Sequence, residues 1–327
     1  MVISKAPLRI SFFGGGTDYP EYFRNNSGAV LATAINTYVY NTANPFPSHL
    51  FDYNIRLSYR DVELVKTTKD IKHRVFQACL ESMKLSKDIE LHTFAELPAY
   101  TGLGSSSTFT VSLLQALYAF KGQFISSKEL GYHAIDIEKN WLNDCVGCQD
   151  QMMAAVGGFN ILEFRKENDI IIHRIPITQE RIEELQQSLV LIFSGIKRKA
   201  SKVAAKQIAK ASINQKSLKQ IRSIVDQGYD ILCSQKPLSE FGNLLHKTWQ
   251  IKRSLETSIS NTEIDAIYNR GIKAGAIGGK LLGAGGGGFI LFYVDPSKKD
   301  SLRKAFPNQE ILEPKINAPS SQIIYAN

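Results

Sequence analysis

Three glycine-rich segments, far apart along 327 residues, limit what this chain can become more than any other feature. They are Gly14-Gly15-Gly16-Thr17-Asp18, Pro98-Ala99-Tyr100-Thr101-Gly102-Leu103-Gly104-Ser105-Ser106-Ser107 and Gly283-Ala284-Gly285-Gly286-Gly287-Gly288. Glycine weakens a helix or strand interior by roughly 0.5–1 kcal/mol per residue against alanine. Each cluster therefore reads as a loop, and what flanks it decides what it can do.

The middle segment follows a short strand, Ile89 to Phe94. It precedes an apolar helical stripe of Phe109, Leu113, Leu114, Leu117 and Phe120, which predicts a helix over Thr108–Phe120. Glycines let the backbone approach a phosphate, serines add hydroxyl donors, and the helix start supplies free N–H groups with the positive end of its dipole. A flexible turn with a serine cap is the bland alternative, and three successive serines after Gly-Leu-Gly weigh against it. This is not a P-loop, because Gly279-Lys280 is followed by Leu281 instead of Ser or Thr. The third segment formally satisfies GxGxxG. A dinucleotide fold needs a helix after that motif, and here a strand follows, Phe289 to Val294. A hairpin turn and a loop bent around a phosphate or sugar are equally open for it. The first segment follows a period-two strand, Val2 to Phe12, in which Leu8, Ile10 and Phe12 alternate with Arg9, Ser11 and Phe13. Its Asp18 could accept hydrogen bonds from a polyol or cap a turn.

Between these loops, Gly28 to Val39 reads as a strand and Asn41 to Ser48, with Pro45 and Pro47, as a loop. Lys69–Leu85 and Lys128–Asn143 have helical spacing, the second after a capping-box pattern at Ser126 and Glu129. Gly157–Phe164 and Ile170–Ile177 form a hairpin pattern. A polar stretch at 178–188 marks a boundary, which divides the chain into 1–185 and 186–327. After it come a buried strand, Leu189 to Phe193, and helical segments Lys199–Cys233, Leu238–Ser254 and Thr262–Ala274. Lys280 to Gly288 reads as a loop.

Lys and Arg outnumber Asp and Glu by 39 to 31, a formal charge of +8, which suits anionic ligands without choosing among them. Tyr and Phe form no base-stacking cluster among the basic residues, which argues against nucleic acid. No apolar run is long enough for a membrane span, and Met1 to Arg9 offers no signal core. A cytoplasmic protein with reduced thiols is expected. Cys145 and Cys148 are a lone CxxC without a second pair for zinc, and the six histidines show no ligand spacing.

Taken in order, Pro7-Leu8-Arg9-Ile10-Ser11-Phe12-Phe13 with the first glycine loop, then Gly102 to Ser107, then Gly283 to Gly288 resemble the three motifs of the GHMP small-molecule kinases. That family includes galactokinase, homoserine kinase, mevalonate kinase and phosphomevalonate kinase. Galactokinase-like chains carry Gly-Glu-His-Thr-Asp at the first motif. Gly15-Gly16 replace the Glu-His pair here and remove two bulky polar contacts. The triple glycine looks instead like the D-glycero-D-manno-heptose 7-phosphate kinases and their fucokinase relatives, and Trp249 to Gly288 fits that branch.

The resemblance implies an α+β, two-domain GHMP kinase fold. Its N-terminal nucleotide-binding domain would be ribosomal-protein-like, with a βαβ unit and a left-handed crossover. Its C-terminal domain would be ferredoxin-like, with the ligands in the cleft between. ATP and Mg2+ are the implied cofactors. The partners are a sugar phosphate and ATP, with neither nucleic acid nor membrane, and a homodimer is left open. The implied reaction puts the γ-phosphate on the anomeric hydroxyl of the heptose 7-phosphate, toward a nucleotide-activated heptose. A fucose or mannose kinase, or a non-catalytic sugar sensor, stands as the alternative.

The resemblance also distributes roles. Gly102, Leu103, Gly104, Ser105, Ser106 and Ser107 would hold the nucleotide. Ser106 and Glu138 would hold the metal, although Glu138 taken alone reads as a solvated helix face. Asp150, in Gly147-Cys148-Gln149-Asp150-Gln151-Met152-Met153, matches the family's catalytic aspartate or caps a helix. Arg9 would be the cation beside the acceptor, its bland reading being a surface strand arginine. Gly15, Gly16, Thr17, Asp18, Gly285 and Gly286 would contact the sugar. Apart from the resemblance, a substrate with its own phosphate needs a second anion site, and in the basic run Lys197-Arg198-Lys199 the best candidate is Arg198, after the break at Gly195, while Lys202, Lys206 and Lys210, four apart, read mostly as a solvated basic face.

Overall fold

The apolar positions of β1 (Val2–Phe13) are buried on both faces toward its C-terminal end, where Leu8, Ile10, Phe12 and Phe13 are all at or below 1% exposure. A strand covered on both sides needs two layers, and the rest of the chain supplies them. The computed structural model describes residues 1–197 and 200–327. In chain order β1 is followed by α1 (Pro20–Phe23), β2 (Gly28–Pro45), β3 (Ile55–Ser58), β4 (Val62–Val65), α2 (Arg74–Ser82) and β5 (Ile89–Ala95). Then come α3 (Ser105–Phe120), α4 (Ser127–Asp136), α5 (Gln149–Val156), the hairpin β6 (Phe159–Phe164) and β7 (Ile170–Arg174), and α6 (Gln179–Gln187). The remainder runs β8 (Leu189–Phe193), α7 (Ala200–Ala209), α8 (Gln215–Cys233), α9 (Ser239–Ser254), α10 (Thr262–Lys273), β9 (Ala276–Leu281), β10 (Phe289–Val294), α11 (Lys299–Ala305), β11 (Ile311–Leu312) and β12 (Gln322–Ala326).

The first sheet has the order β12-β1-β2-β5-β3-β4, and β2 is long enough to fork it. Gly28–Thr33 pairs with β6, while Val39–Pro45 pairs with β5. The sheet is mixed, because β3 runs parallel to β5 and its other pairs are antiparallel. The second sheet is antiparallel, in the order β11-β8-β10-β9. Read in chain order, that is strand, helices, two strands, helix, strand, the ferredoxin-like arrangement. The last strand, β12, leaves this half of the chain and joins the first sheet beside β1.

Aromatic packing joins the halves. Phe241 of α9 meets Phe12 and Phe13 of β1 edge-on, at centroid distances of 5.1 and 4.8 Å. Phe12 also touches Phe159 of β6 at 5.6 Å. The glycine loops add a backbone clasp. Phe289 N donates to Thr101 O at 2.9 Å, and a Cβ on Gly283 would lie 2.9 Å from the Cα of Gly102.

The structure departs from the sequence expectation in instructive places. Asn41–Ser48 was expected as a loop, but β2 runs on to Pro45 because β1 and β5 pair with it on either side. Proline ends the strand there instead of excluding it. The expected helix Lys199–Cys233 breaks between α7 and α8, where the Asn214 side chain donates to Leu255 O at 2.9 Å. Lys280, expected in a loop, lies in β9, whose Gly278 and Gly279 admit α9 and β10 at backbone distance.

The clasp generates a stability prediction. Gly288 has φ +104°, and a Cβ there would lie 2.5 Å from Thr101 O. Gly288→Ala is expected to cost at least about 2 kcal/mol, from backbone strain plus a clash with rigid backbone. Urea unfolding should show a lower midpoint with an unchanged slope.

Candidate active site

The helix α3 begins at Ser105 because Gly104, its N-cap, takes the left-handed conformation at φ +80°. The three serines are thus the helix's first turn, earlier than the expected start at Thr108. The amides of Ser105, Ser106 and Ser107 precede the first intrahelical bond, Thr108 N to Gly104 O at 2.9 Å. Three N–H groups and the helix dipole are left for an anion. The loop before them is stapled to β1, where Arg9 N donates to Leu103 O at 3.1 Å.

Arg9 is 2% exposed, so it is no surface arginine. Its Nε donates to Asp150 Oδ1 at 2.8 Å and its Nη2 to Asp150 Oδ2 at 2.6 Å. Its Nη1 donates to Gly102 O at 2.8 Å. A bidentate guanidinium–carboxylate pair fixes both planes. Gln149 adds a donor to Asp150 Oδ1 at 3.0 Å and is itself held by Ser11 Oγ at 2.6 Å. Asp150 lies in the first turn of α5, where no side-chain cap forms, and its side chain is 30% exposed toward the cavity.

Glu138 is 3% exposed. The α-helical register that would put it on a solvated face ends at Asp136. Ile137–Trp141 forms a π-helical turn, with Leu142 N donating to Ile137 O at 3.0 Å. Such widened turns re-aim side chains. Glu138 Oε2 accepts from Ser107 Oγ at 2.9 Å and Gln151 Nε2 at 2.6 Å. Glu138 Oε1 and Gln151 Oε1 are buried without a partner. Burial, and to a lesser degree Asp150, raise the Glu138 carboxyl to about 7, against the lowering pull of its donors.

These groups line one cavity of about 330 Å3. Gly15, Gly16, Gly102, Gly104, Ser105, Ser106 and Ser107 face it, as do Asp18, Gly283 and Ala284. Asp18 is 6% exposed and accepts from Gly16 N at 3.0 Å. Burial, then the nearby Asp150 carboxylate, raise its pKa. A Cβ on its neighbour Gly147 would lie 1.9 Å from Asp18 Oδ2, so any side chain there would displace the carboxylate.

Other expected residues sit elsewhere. Leu103 is fully buried behind the loop. Thr17 closes the first loop, its Oγ1 donating to Gly14 O at 2.8 Å and accepting from Ala29 N at 3.1 Å. Gly286 spends its amide on Ile259 O at 2.9 Å, and Gly285 packs on Ile259, so both stand behind the wall that Gly283 and Ala284 form. Ser106, expected beside Glu138, is exposed at the cavity, and Ser107 is the hydroxyl that touches Glu138. Arg198 lies outside the described residues. Lys206 is exposed, and Lys210 pairs with Glu256 at 2.5 Å.

Two lysines escaped the sequence reading. Lys280 is 1% exposed and donates to Ser11 O at 2.8 Å and Phe12 O at 2.9 Å. Lys252 of α9 lines the cavity at 5% exposure and donates to Gly283 O. The only sequence signal for Lys280 was its place beside the third glycine loop. Lys252 gave none. Among the described residues no cluster of three His, Cys, Asp or Glu side chains is poised for a metal, and no helix is long and apolar enough to cross a membrane. Cys145 and Cys148 are free thiols, the first exposed and the second buried.

Residues 67–158 match the model of the GHMP kinases N terminal domain, and 232–311 that of the GHMP kinases C terminal domain. The chain is 32% identical over 320 residues to D-glycero-alpha-D-manno-heptose 7-phosphate kinase of Campylobacter jejuni, covering 94% of this chain and 93% of that one. It is 24% identical over 334 residues to the bifunctional fucokinase/GDP-fucose pyrophosphorylase of Arabidopsis thaliana, covering 95% of this chain and 31% of that one. Its fold matches the crystal structure of a D-glycero-D-manno-heptose 1-phosphate kinase from Bacteroides thetaiotaomicron over 100% of both chains, with a TM-score of 0.83 and 23% identity.

The Glu138 environment has a measurable consequence. A carboxyl raised from its ordinary 4.5 to about 7 makes the folded state bind the proton more tightly than the unfolded state. Its contribution is therefore most favourable below about 4.5 and is lost as pH rises to about 7. In buffer free of divalent ions, Glu138→Gln is expected to gain roughly 2–3 kcal/mol relative to the wild type between pH 4.5 and 8. Urea unfolding at both pH values checks it, and parallel pH profiles for the two proteins would contradict it.

Proposed function

The chain belongs to the GHMP kinase family, and on that premise we propose that it transfers the γ-phosphate of ATP to the anomeric hydroxyl of D-glycero-D-manno-heptose 7-phosphate, giving the 1,7-bisphosphate. Family membership and the two-domain GHMP kinase fold carry ATP-dependent phosphotransferase activity in general. The choice of sugar is supported by the likeness to the Campylobacter jejuni heptose kinase along nearly the full length of both chains.

The observation that carries the chemistry is the Arg9–Asp150 pair. Phosphoryl transfer needs positioning and charge stabilisation more than covalent work. Asp150 Oδ1 accepts from both Arg9 and Gln149, whereas Oδ2 accepts from Arg9 Nη2. Oδ2 keeps a lone pair for the sugar hydroxyl's proton. The proton passes to Asp150 as the sugar oxygen bonds to the γ-phosphorus and the bond to the leaving diphosphate breaks. Arg9 aims the carboxylate beforehand through its bidentate contact. The free amides of Ser105, Ser106 and Ser107 hold phosphate oxygens, and Asp18 accepts from sugar hydroxyls. Gly15 and Gly16 leave room for the bulk of a heptose.

The unpartnered oxygens of Glu138 and Gln151 suit a hard cation, which prefers oxygen ligands. Glu138, with the exposed Ser106 hydroxyl as a second ligand, would hold Mg2+. Bound there, the cation would screen the charge of the phosphate oxygens. Glu138 must lose its proton to serve, so cation affinity is tied to pH. The proposal makes the protein a cytoplasmic enzyme with small-molecule partners. It gives Arg198 the substrate's own phosphate, on the sequence alone.

Three outcomes test this. Incubation with Mg-ATP and a panel of heptose 7-phosphate, fucose and mannose should yield a 1,7-bisphosphate by mass and phosphorus NMR. A fucose 1-phosphate product would favour the fucokinase reading instead. Asp150→Asn should lower kcat by on the order of 10²–10⁴ and leave the Kd for ATP nearly unchanged. The Mg2+ concentration for half-maximal turnover should rise by up to about tenfold per pH unit below pH 7.

A further inference from the structure

The cavity contains an ammonium group that the steps above leave unused. Lys252 comes from α9, in the second half of the chain, and reaches a wall otherwise dominated by groups from the first half. Among the described residues its Nζ has one hydrogen-bond partner, the carbonyl of Gly283. An ammonium carries three N–H donors, so two remain uncommitted. Burying a cation in this state is costly unless an anion completes its shell.

The other buried cations contrast with it. Lys280 divides its donors between two β1 carbonyls and does not face the cavity. Arg9 is bound to Asp150 and Gly102. Arg74, which also lines the cavity, is 61% exposed, so water solvates it, and it pairs with Asp144 at 3.5 Å. Lys252 alone among the described cavity cations is buried with no carboxylate among its hydrogen-bond partners. The carboxylates whose charge reaches it, Asp18 and Asp150, already accept from Gly16 N and Arg9 respectively.

We propose that Lys252 binds the transferring phosphoryl group, donating to a non-bridging oxygen while the bond to the sugar oxygen forms and the bond to the leaving diphosphate breaks. This rests on the kinase reading. Lys252 neither gains nor loses a proton in the step, since the hydroxyl's proton goes to Asp150. A neutral sugar hydroxyl would repay little of the burial cost, whereas an anionic oxygen is the strong partner for an ammonium in a poorly hydrated site. The second domain thereby contributes a charge to a site whose base and amides come from the first.

Among the described residues, the charged groups whose fields reach Lys252 are Arg9 of β1, Asp18 of the loop after β1, Asp150 of α5 and Lys280 of β9. Burial first, then Arg9, lower its pKa to about 8, with Asp18 and Asp150 opposing. The ammonium is charged below that pH and loses its proton above it, so turnover should fall on the alkaline side.

The test compares wild type, Lys252→Met and Lys252→Arg in steady state from pH 6 to 9.5, with thermal unfolding as a check on folding. Lys252→Met should lower kcat by about 10²-fold, the usual loss for one donor to a developing oxyanion, while KM for ATP stays within about threefold. Lys252→Arg should keep at least about a tenth of kcat and lose the alkaline limb near pH 8, because guanidinium stays charged. A methionine variant within about threefold of wild-type kcat, or an arginine variant with the wild-type alkaline limb, overturns the proposal. Should the methionine variant fail to fold, the arginine profile decides. A wild-type enzyme inactive on the heptose 7-phosphate but active on another sugar overturns the substrate reading alone, and the ratios are then taken on that sugar.

Discussion

Arg9 carries its charge into the interior, and its hydrogen bonds tie three elements to one point. Its main chain holds the glycine loop at Leu103, one side-chain nitrogen holds the same loop at Gly102, and the other two hold α5 through Asp150. Losing Asp150 would strand a buried guanidinium, a cost of about 3–5 kcal/mol. The loop's composition follows from this contact. A Cβ on Gly104 would approach Arg9 Cγ to 3.3 Å, and the residue's φ of +80° is a glycine conformation. The serine amides of α3 point where they do because Arg9 sets the position of the loop before them.

Charge in the cavity is arranged in opposition. Glu138, Asp18 and Asp150, together with Arg9, come from the first half of the chain, and the buried lysines come from the second, Lys252 at the cavity and Lys280 outside it. Closing the halves on each other therefore brings acids toward bases. Burial shifts both kinds toward neutrality, with Asp18 and Glu138 raised and Lys252 and Lys280 lowered. A polyanionic ligand and its counter-cation would reverse that tendency by giving each group a charged partner. The backbone clasp at Thr101, Gly102, Gly283 and Gly288 keeps the halves close enough for this coupling.

The parts of the site that were legible in the sequence are those encoded locally. Strand, glycine loop and helix follow one another between Ile89 and Phe120, and the chemistry of an anion cradle can be read from that order alone. Arg9 and Asp150 stand in motifs close to the glycine loops or in a recognisable segment. What escaped depends on tertiary contact. Lys252 sits on a helix whose pattern gives no sign of which lysine faces inward, and Lys280 lies in a glycine-containing strand that only its neighbours make regular. Gly285 and Gly286 looked as open as Gly283, and only the position of Ile259 separates them. Glu138 was legible by resemblance but not by period, because helical periodicity assumes a constant turn.

That interrupted turn has a further consequence. Asp136 secures it by accepting from Asn140 Nδ2 at 2.6 Å and Trp141 Nε1 at 3.2 Å. A π-helical turn holds one residue more than the regular helix around it requires. Deleting Ile137 would move Glu138 back one helical position and turn its carboxylate by roughly 100° about the helix axis, away from Ser107 and Gln151. The carboxylate's aim is thus written in residue count as much as in residue type, and insertions or deletions here would retune the site by a route closed to point substitution.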